Sequence, residues 1–382
     1  MSVYVHVPFC ARRCGYCDFN TYTQQRVGLT ANQWLTGVRA EVELAASQRP
    51  GPVQTVFFGG GTPTLLGAQI LSDALNAVRE TFGLVDGAEV TVEANPETVT
   101  PQLLDDLLTG GFTRLSLGMQ SSDPNVLAVL DRAHQPGQAL RCVQQAKQAG
   151  FGDVSLDLIY GTPGESLTSW QASLQAALSV EPQHISCYAL IVEPGTPLAR
   201  RIANGELPAP DDDLMADEYV LADQLLANTG LAWYELSNWA MPGHECRHNL
   251  AYWRSDDWWG VGPGAHSHLA RRRWWNHKHP RTWASALARG DSPQAGFELV
   301  DDTMAHEERL LLELRLATGL PVTALTPTET ARLSSLIEDN LVEVVTRKNT
   351  AQCATGEAVS PHVILTLQGR LLADQVTRDL LD

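Results

Sequence analysis

The chain has 382 residues, 44% hydrophobic and 19% charged, which describes a globular protein of two or three domains and excludes a disordered one. Its 27 basic and 44 acidic residues give a net charge of −17, the wrong sign for gripping phosphate backbones, so no nucleic-acid partner is expected. No apolar run reaches the roughly 18 residues of a membrane-spanning helix, and MSVYVHVPFC carries neither a basic leader nor an apolar signal core; a cytoplasmic protein with no integral membrane segment is expected.

In chain order, strands are predicted at 3–7, 54–58, 88–93, 114–118, 153–159 and 184–190, separated by amphipathic stretches at 31–47, 67–82, 101–109, 137–149 and 166–179. Six strands joined by helical crossovers imply an α/β fold with a parallel sheet and helices outside, a partial (βα)6 barrel. Reacting groups in such folds gather on loops after the strands. The polar and glycine signals obey that rule: HVPFC follows strand 1, Gly59-Gly60-Gly61-Thr62 follows strand 2, Glu93 ends strand 3, Gln120 follows strand 4, and Asp157 lies in strand 5.

The acidic stretch LPAPDDDLMADE (207–218) reads as the entry to a closing helix, with Asp211 or Asp212 as N-cap. Composition then changes: eight of the ten tryptophans lie between Trp233 and Trp283, and six of the eleven histidines between His244 and His279. From about 303 the pattern is two short helices (303–317, 327–339), strands at 341–346 and 362–367, and a last helix ending at 381. The expected organisation is therefore a core domain over 1–235, a Trp/His-rich connecting region over 236–300, and a smaller winged-helix-like α+β domain over 301–382.

Of the seven cysteines, Cys142, Cys187 and Cys353 are isolated and read as buried small hydrophobes. Cys10, Cys14 and Cys17 instead put three thiols within eight residues. Structural zinc sites want four ligands, and no companion pair lies nearby. A [4Fe–4S] cluster on three cysteines leaves one iron open to a small molecule. This C-x3-C-x2-C spacing, with Tyr16 before the last cysteine, strongly resembles the radical S-adenosylmethionine (SAM) superfamily. There the methionine amine and carboxylate chelate the open iron, and reduction cleaves a C–S bond to a 5′-deoxyadenosyl radical. In that context, Gly60 and Gly61 let backbone carbonyls approach the methionine ammonium, Glu93 can accept from ribose hydroxyls, and Arg132 can pair with the cofactor carboxylate. A plain surface role is the alternative for Glu93 and Arg132.

The segments FFGGGTPTLL, LSLGMQS, DLIYGTPGES, YELSNWAMPGHECRHNLAYW and WWGVGPGAHSH extend the resemblance along nearly the whole chain, to the oxygen-independent coproporphyrinogen III oxidase-like group. The resemblance assigns cofactor contacts to Tyr4, Tyr16, Gly60, Gly61, Thr62, Glu93, Gln120, Arg132 and Asp157. Within the group the chain is most similar to the HemW-type heme chaperones. Position 19 is Phe where the oxidases carry a fourth cysteine, only three residues precede Tyr4, and His248-Asn249-Leu250-Ala251-Tyr252-Trp253 matches the chaperones' HNxxYW signature. The implied function is binding heme and handing it to acceptor proteins, with an electron donor as a further candidate partner. The alternative is the oxidase itself, a radical decarboxylase of propionates; whether the chain is an enzyme stays open.

His248 is the expected heme ligand, imidazole being a standard axial donor, with Tyr252, Trp253, Trp258 and Trp259 as flat apolar surface for the macrocycle. The competing reading is a histidine satisfied within a tryptophan-rich core. Cys246 is a candidate second ligand, and His244, His266 and His268 are weaker ones. Gly260-Val261-Gly262-Pro263-Gly264 reads as a tight turn permitting close approach of chain or porphyrin, since no lysine follows and Pro263 lacks an amide donor.

Overall fold

The computed structural model describes residues 1–48, 51–348 and 359–382; Cys353 lies outside them. Valines alternate through the first strand, β1 (Ser2–Val7), where Val3, Val5 and Val7 are fully buried. This is the period-2 pattern of a strand with one face in a core. It leads into β2 (Val53–Gly60), β3 (Leu84–Ala94), β4 (Arg114–Gln120), β5 (Asp153–Tyr160) and β6 (His184–Ala189), each parallel to its predecessor, with register shifts at Val53/Thr55 and Gly118/Gln120. Helices α1 (Ala31–Ala46), α2 (Ala68–Phe82), α3 (Pro101–Gly110), α4 (Gln138–Ala149) and α5 (Leu167–Leu178) make the crossovers. Local signals set their ends: Thr30 and Gln33 form a capping box on α1, and Thr100 caps α3 with Pro101 at its first position. The expected strands and helices of this half are all present.

Helix α6 (Asp212–Ala227) closes the unit, and Asp211 is its cap, accepting from the Asp213 and Leu214 amides at 3.1 Å. The strands of 232–299 join the same sheet at both of its ends. The hairpin β7 (Ala232–Glu235) and β8 (Asn238–Ala240) lies antiparallel beside β6. Strand β9 (Trp258–Val261) lies parallel to β1, followed by β10 (His266–Leu269), β11 (Arg272–Asn276) and β12 (Gln294–Leu299). The twelve-stranded order is β12-β11-β10-β9-β1-β2-β3-β4-β5-β6-β8-β7. Position 235 thus falls inside the sheet, because an exposed edge at β1 or β6 would leave a row of backbone groups unpaired.

The last segment has its own core of Leu310, Leu314, Leu333, Leu336, Val363 and Val376. Helices Asp302–Glu313, Pro327–Glu338 and Ala373–Leu381 pack on a three-stranded sheet of Leu320–Pro321, Val359–Leu365 and Val342–Lys348. Arg370 ties it to the barrel by pairing both oxygens of Asp223 at 2.8 Å and lying 4.4 Å over the Trp233 ring.

Candidate functional site

A cavity of about 600 Å3 runs inside the barrel. At one end lies the loop after β1, with Cys10, Cys14 and Cys17; at the other, helix α7 (Arg247–Trp253) crosses the amino-terminal ends of the strands. The residues expected to contact SAM, Tyr4, Tyr16, Gly60, Gly61, Thr62, Glu93, Gln120, Arg132 and Asp157, line this one cavity with His248 and the three cysteines.

At the cysteine end the backbone is shaped for close approach. Gly60 has φ +112°, and a Cβ there would lie 2.4 Å from the His6 ring; one on Gly61 would lie 2.4 Å from the Phe9 carbonyl oxygen. Gln120 adopts a left-handed φ of 62° at an irregularity in the β4–β5 pairing. Arg132 donates to Asn95 Oδ1 at 2.6 Å and to the Gly118 carbonyl at 3.0 Å, and reaches Cys14 Sγ at 3.6 Å. Its Nε is buried with no partner. Asn95 also donates to the Thr62 hydroxyl at 2.9 Å, fixing the glycine loop to the arginine. Asn95 was not among the expected residues, although its place two positions after Glu93 was a usable signal.

Midway, Glu93 accepts from the Gly60 amide at 3.0 Å, and burial together with Asp157 pushes its carboxyl up to about 7. Asp157 accepts from Ser116 and Ser186, each at 2.7 Å. His6 Nε2–H donates to the Asn20 carbonyl at 3.0 Å, so the neutral ring accepts from the Tyr4 hydroxyl at Nδ1, also at 3.0 Å. The first strand is thereby tied to the end of the cysteine loop.

At the far end His248 is 1% exposed. Thr55 donates to Ser2 and lies 2.8 Å from His248 Nδ1, so it accepts the Nδ1 proton. That assignment leaves Nε2 to accept from the Tyr252 hydroxyl at 3.0 Å. Both ring nitrogens are therefore engaged, and burial pushes the ring down to about 3, keeping it neutral. Glu89, unforeseen in the sequence, accepts from the Arg247 and His248 amides at 3.1 and 2.9 Å and holds the start of α7. Arg114, 2% exposed, keeps one terminal nitrogen unpartnered here, as Thr91 does its hydroxyl.

Three expectations need correction. Trp253, Trp258 and Trp259 do not line the cavity: strand β9 turns Trp259 onto Trp274, 4.9 Å between rings, while Trp258 packs edge-on behind Tyr252 at 4.9 Å. Cys246 borders the cavity as a protonated thiol, pushed up to about 12 by burial beside Glu89. His244 bonds Asp153 at 2.6 Å, and His266 and His268 pack on Trp275 and Trp258 in β10. The 260–264 turn serves close approach of chain: a Cβ on Gly262 would meet the His6 carbonyl oxygen at 2.6 Å.

The donor set fits an iron–sulfur cluster with SAM. Three thiols border one cavity, glycine backbone clears space beside them, and a buried guanidinium has an unused N–H. Among the described residues no three such side chains gather tightly enough for a single metal ion, as a zinc site requires.

A barrel of parallel strands with a three-cysteine loop after its first strand is the radical SAM class, and residues 4–177 match the Radical SAM superfamily model. The full chain is 49% identical to the heme chaperone HemW of Mycobacterium tuberculosis, covering 94% of it, and 98% of the chain is 32% identical to that of Bacillus subtilis, covering 97%. This chain belongs to the HemW family of the radical SAM superfamily. It also shares its fold with the coproporphyrinogen III oxidase of Escherichia coli, at TM-score 0.83 and 22% identity over 99% of this chain and 89% of that one.

Proposed function

We propose that this protein is a heme chaperone: it binds heme as cargo, passes it to acceptor proteins, and carries a [4Fe–4S] cluster with SAM at the cysteine end of its cavity. The observation that carries this reading is the full-length identity to proteins named heme chaperones. Phe19, at the fourth-cysteine position of the oxidases, points the same way. No described helix is long and apolar enough to cross a membrane, consistent with work in the cytoplasm.

Cys10, Cys14 and Cys17 hold the cluster, which when bound presents an open iron to SAM and supplies it an electron. The chain's own residues do the placing. Gly60, Gly61 and Thr62 line the methionine end without intruding. Arg132, already held by Asn95 and Gly118, turns its unused Nε–H toward the carboxylate. Glu93, Gln120 and Asp157 face the nucleoside, with Tyr4 and Tyr16 as walls. Glu93, with its carboxyl raised to about 7, accepts a hydrogen bond from a ribose hydroxyl when ionised and can donate one when protonated.

His248 would supply an imidazole ligand to heme iron once the Tyr252 hydroxyl gives up its bond to Nε2. The Nδ1–H bond to Thr55 sets the tautomer and would leave the Nε2 lone pair available to iron. The test is anaerobic reconstitution followed by heme titration, and transfer from the loaded protein to an apo-hemoprotein, read by visible absorption. Stoichiometric binding and transfer are expected. Sustained vinyl formation from coproporphyrinogen with SAM and a reductant would instead make the chain an oxidase.

A further inference from the structure

Two of the most exposed large apolar side chains among the described residues, Ile191 at 67% and Phe19 at 62%, border the same cavity. Phe19 comes from the cysteine loop and Ile191 from the segment after β6. Tyr188, 45% exposed, adds a ring to the lining. Isolated exposed apolar residues need no explanation, but several around one cavity mouth do. The same rim carries Arg12 and Arg13. Arg12 is anchored on Asp131 at 2.9 Å and Arg13 on the Phe19 carbonyl at 3.3 Å, which leaves donors of each fork facing outward. Asp18 and Glu193 are the acidic groups of the rim. In a chain of net charge −17, two adjacent guanidinium groups beside an apolar mouth select a ligand that is both flat and apolar and carries carboxylates.

We propose that this rim is the docking site for the porphyrin: Phe19, Tyr188 and Ile191 take the macrocycle, and Arg12 and Arg13 take its propionates. The proposal rests on the heme-chaperone reading but not on His248, which lies at the opposite end of the barrel. A ring docked at the rim cannot also place its iron on His248, so the rim is a separate porphyrin site, which recognises the ring and its carboxylates without the iron. Binding of metal-free protoporphyrin therefore depends on the rim alone.

The test titrates the cluster-loaded protein with heme, metal-free protoporphyrin IX and its dimethyl ester. Ile191→Ser and Phe19→Ser are each expected to weaken protoporphyrin binding about tenfold, the scale of one lost apolar contact. Phe19→Leu restores most of that affinity. The dimethyl ester no longer distinguishes wild type from Arg12→Gln/Arg13→Gln. Phe297→Ser, an equally exposed aromatic on edge strand β12, is the surface control and changes nothing. Iron content of each variant shows that the cluster is retained. If wild type binds heme and both rim variants bind protoporphyrin as wild type does, the rim proposal is wrong and the chaperone reading stands. If wild type binds no porphyrin at all, the chaperone reading falls with it.

Discussion

His248 Nδ1 and the Thr55 hydroxyl lie 2.8 Å apart, and this bond fastens helix α7 to the start of barrel strand β2. Because Thr55 in turn donates to Ser2, three elements meet at one imidazole. His248→Ala would remove the acceptor of the Tyr252 hydroxyl and the donor to Thr55, which keeps only its bond to Ser2, at about 1–3 kcal/mol per unsatisfied group. Urea unfolding of the metal-free protein is expected to show a clear loss of stability, independent of any heme. An unchanged midpoint would mean that the network adds nothing.

Tyr252→Phe separates that structural role from ligation. It removes the hydroxyl on Nε2 and keeps the ring that packs on His248, 5.0 Å between centroids. With Nε2 free, heme is expected to bind several-fold more tightly and with faster onset of the imidazole-ligated spectrum. Weaker binding in this variant would exclude Nε2 as the iron ligand.

Glu165 and Glu218 form a second electrostatic feature, away from the cysteines. Both are buried, and three of their four carboxylate oxygens have no hydrogen-bond partner. Burial, then Glu218, pushes Glu165 up to about 8, and burial pushes Glu218 up to about 7. An acid raised in the folded state binds its proton more tightly there than in the unfolded chain. Its contribution to stability is therefore lost as pH rises from about 4.5 through the folded value. Glu165→Gln is expected to stabilise the protein, more at pH 8.5 than at pH 5.5, as read by denaturant midpoints. Equal effects at both pH values would show that the pair is not protonated in the fold.

Gly61→Ala places a methyl 2.4 Å from the Phe9 carbonyl oxygen, one residue before Cys10. Backbone cannot yield as a flexible side chain does, so the cysteine loop must shift. Reduced iron incorporation and SAM binding at least tenfold weaker by equilibrium dialysis are expected, with the fold retained by circular dichroism. Wild-type SAM affinity would show that the loop tolerates the shift.

Arg370 and Asp223 test the join between the barrel and the last domain. The guanidinium is largely buried and bidentate, so Arg370→Ala strands a partly buried carboxylate under Trp233 and Tyr219. Removing one member of such a pair costs about 3–5 kcal/mol. Limited proteolysis is expected to cut between the two units in the variant and not in wild type; an unaltered digestion pattern would show that other contacts hold the join.

The sequence by itself determined the barrel strands, their crossovers and the cofactor end of the cavity. Those features are local: valine alternation marks β1, caps such as Thr30 and Asp211 mark helix starts, and cysteine spacing carries its chemistry within eight residues. Topology then brings Glu93, Gln120 and Asp157 together, because parallel strands all end on one face of the sheet. What only the tertiary structure decided lies in pairings between distant segments. Strand β9 pairs with β1 across more than 250 residues of chain, which turns Trp259 into the core and away from any ligand. Asn95 meets Arg132, Glu89 meets the start of α7, and Phe19 and Ile191 come to line one cavity only after the sheet has folded. Residue type cannot reveal which nitrogen of His248 is already taken, since that depends on hydroxyls brought from β2 and α7 to opposite sides of one ring.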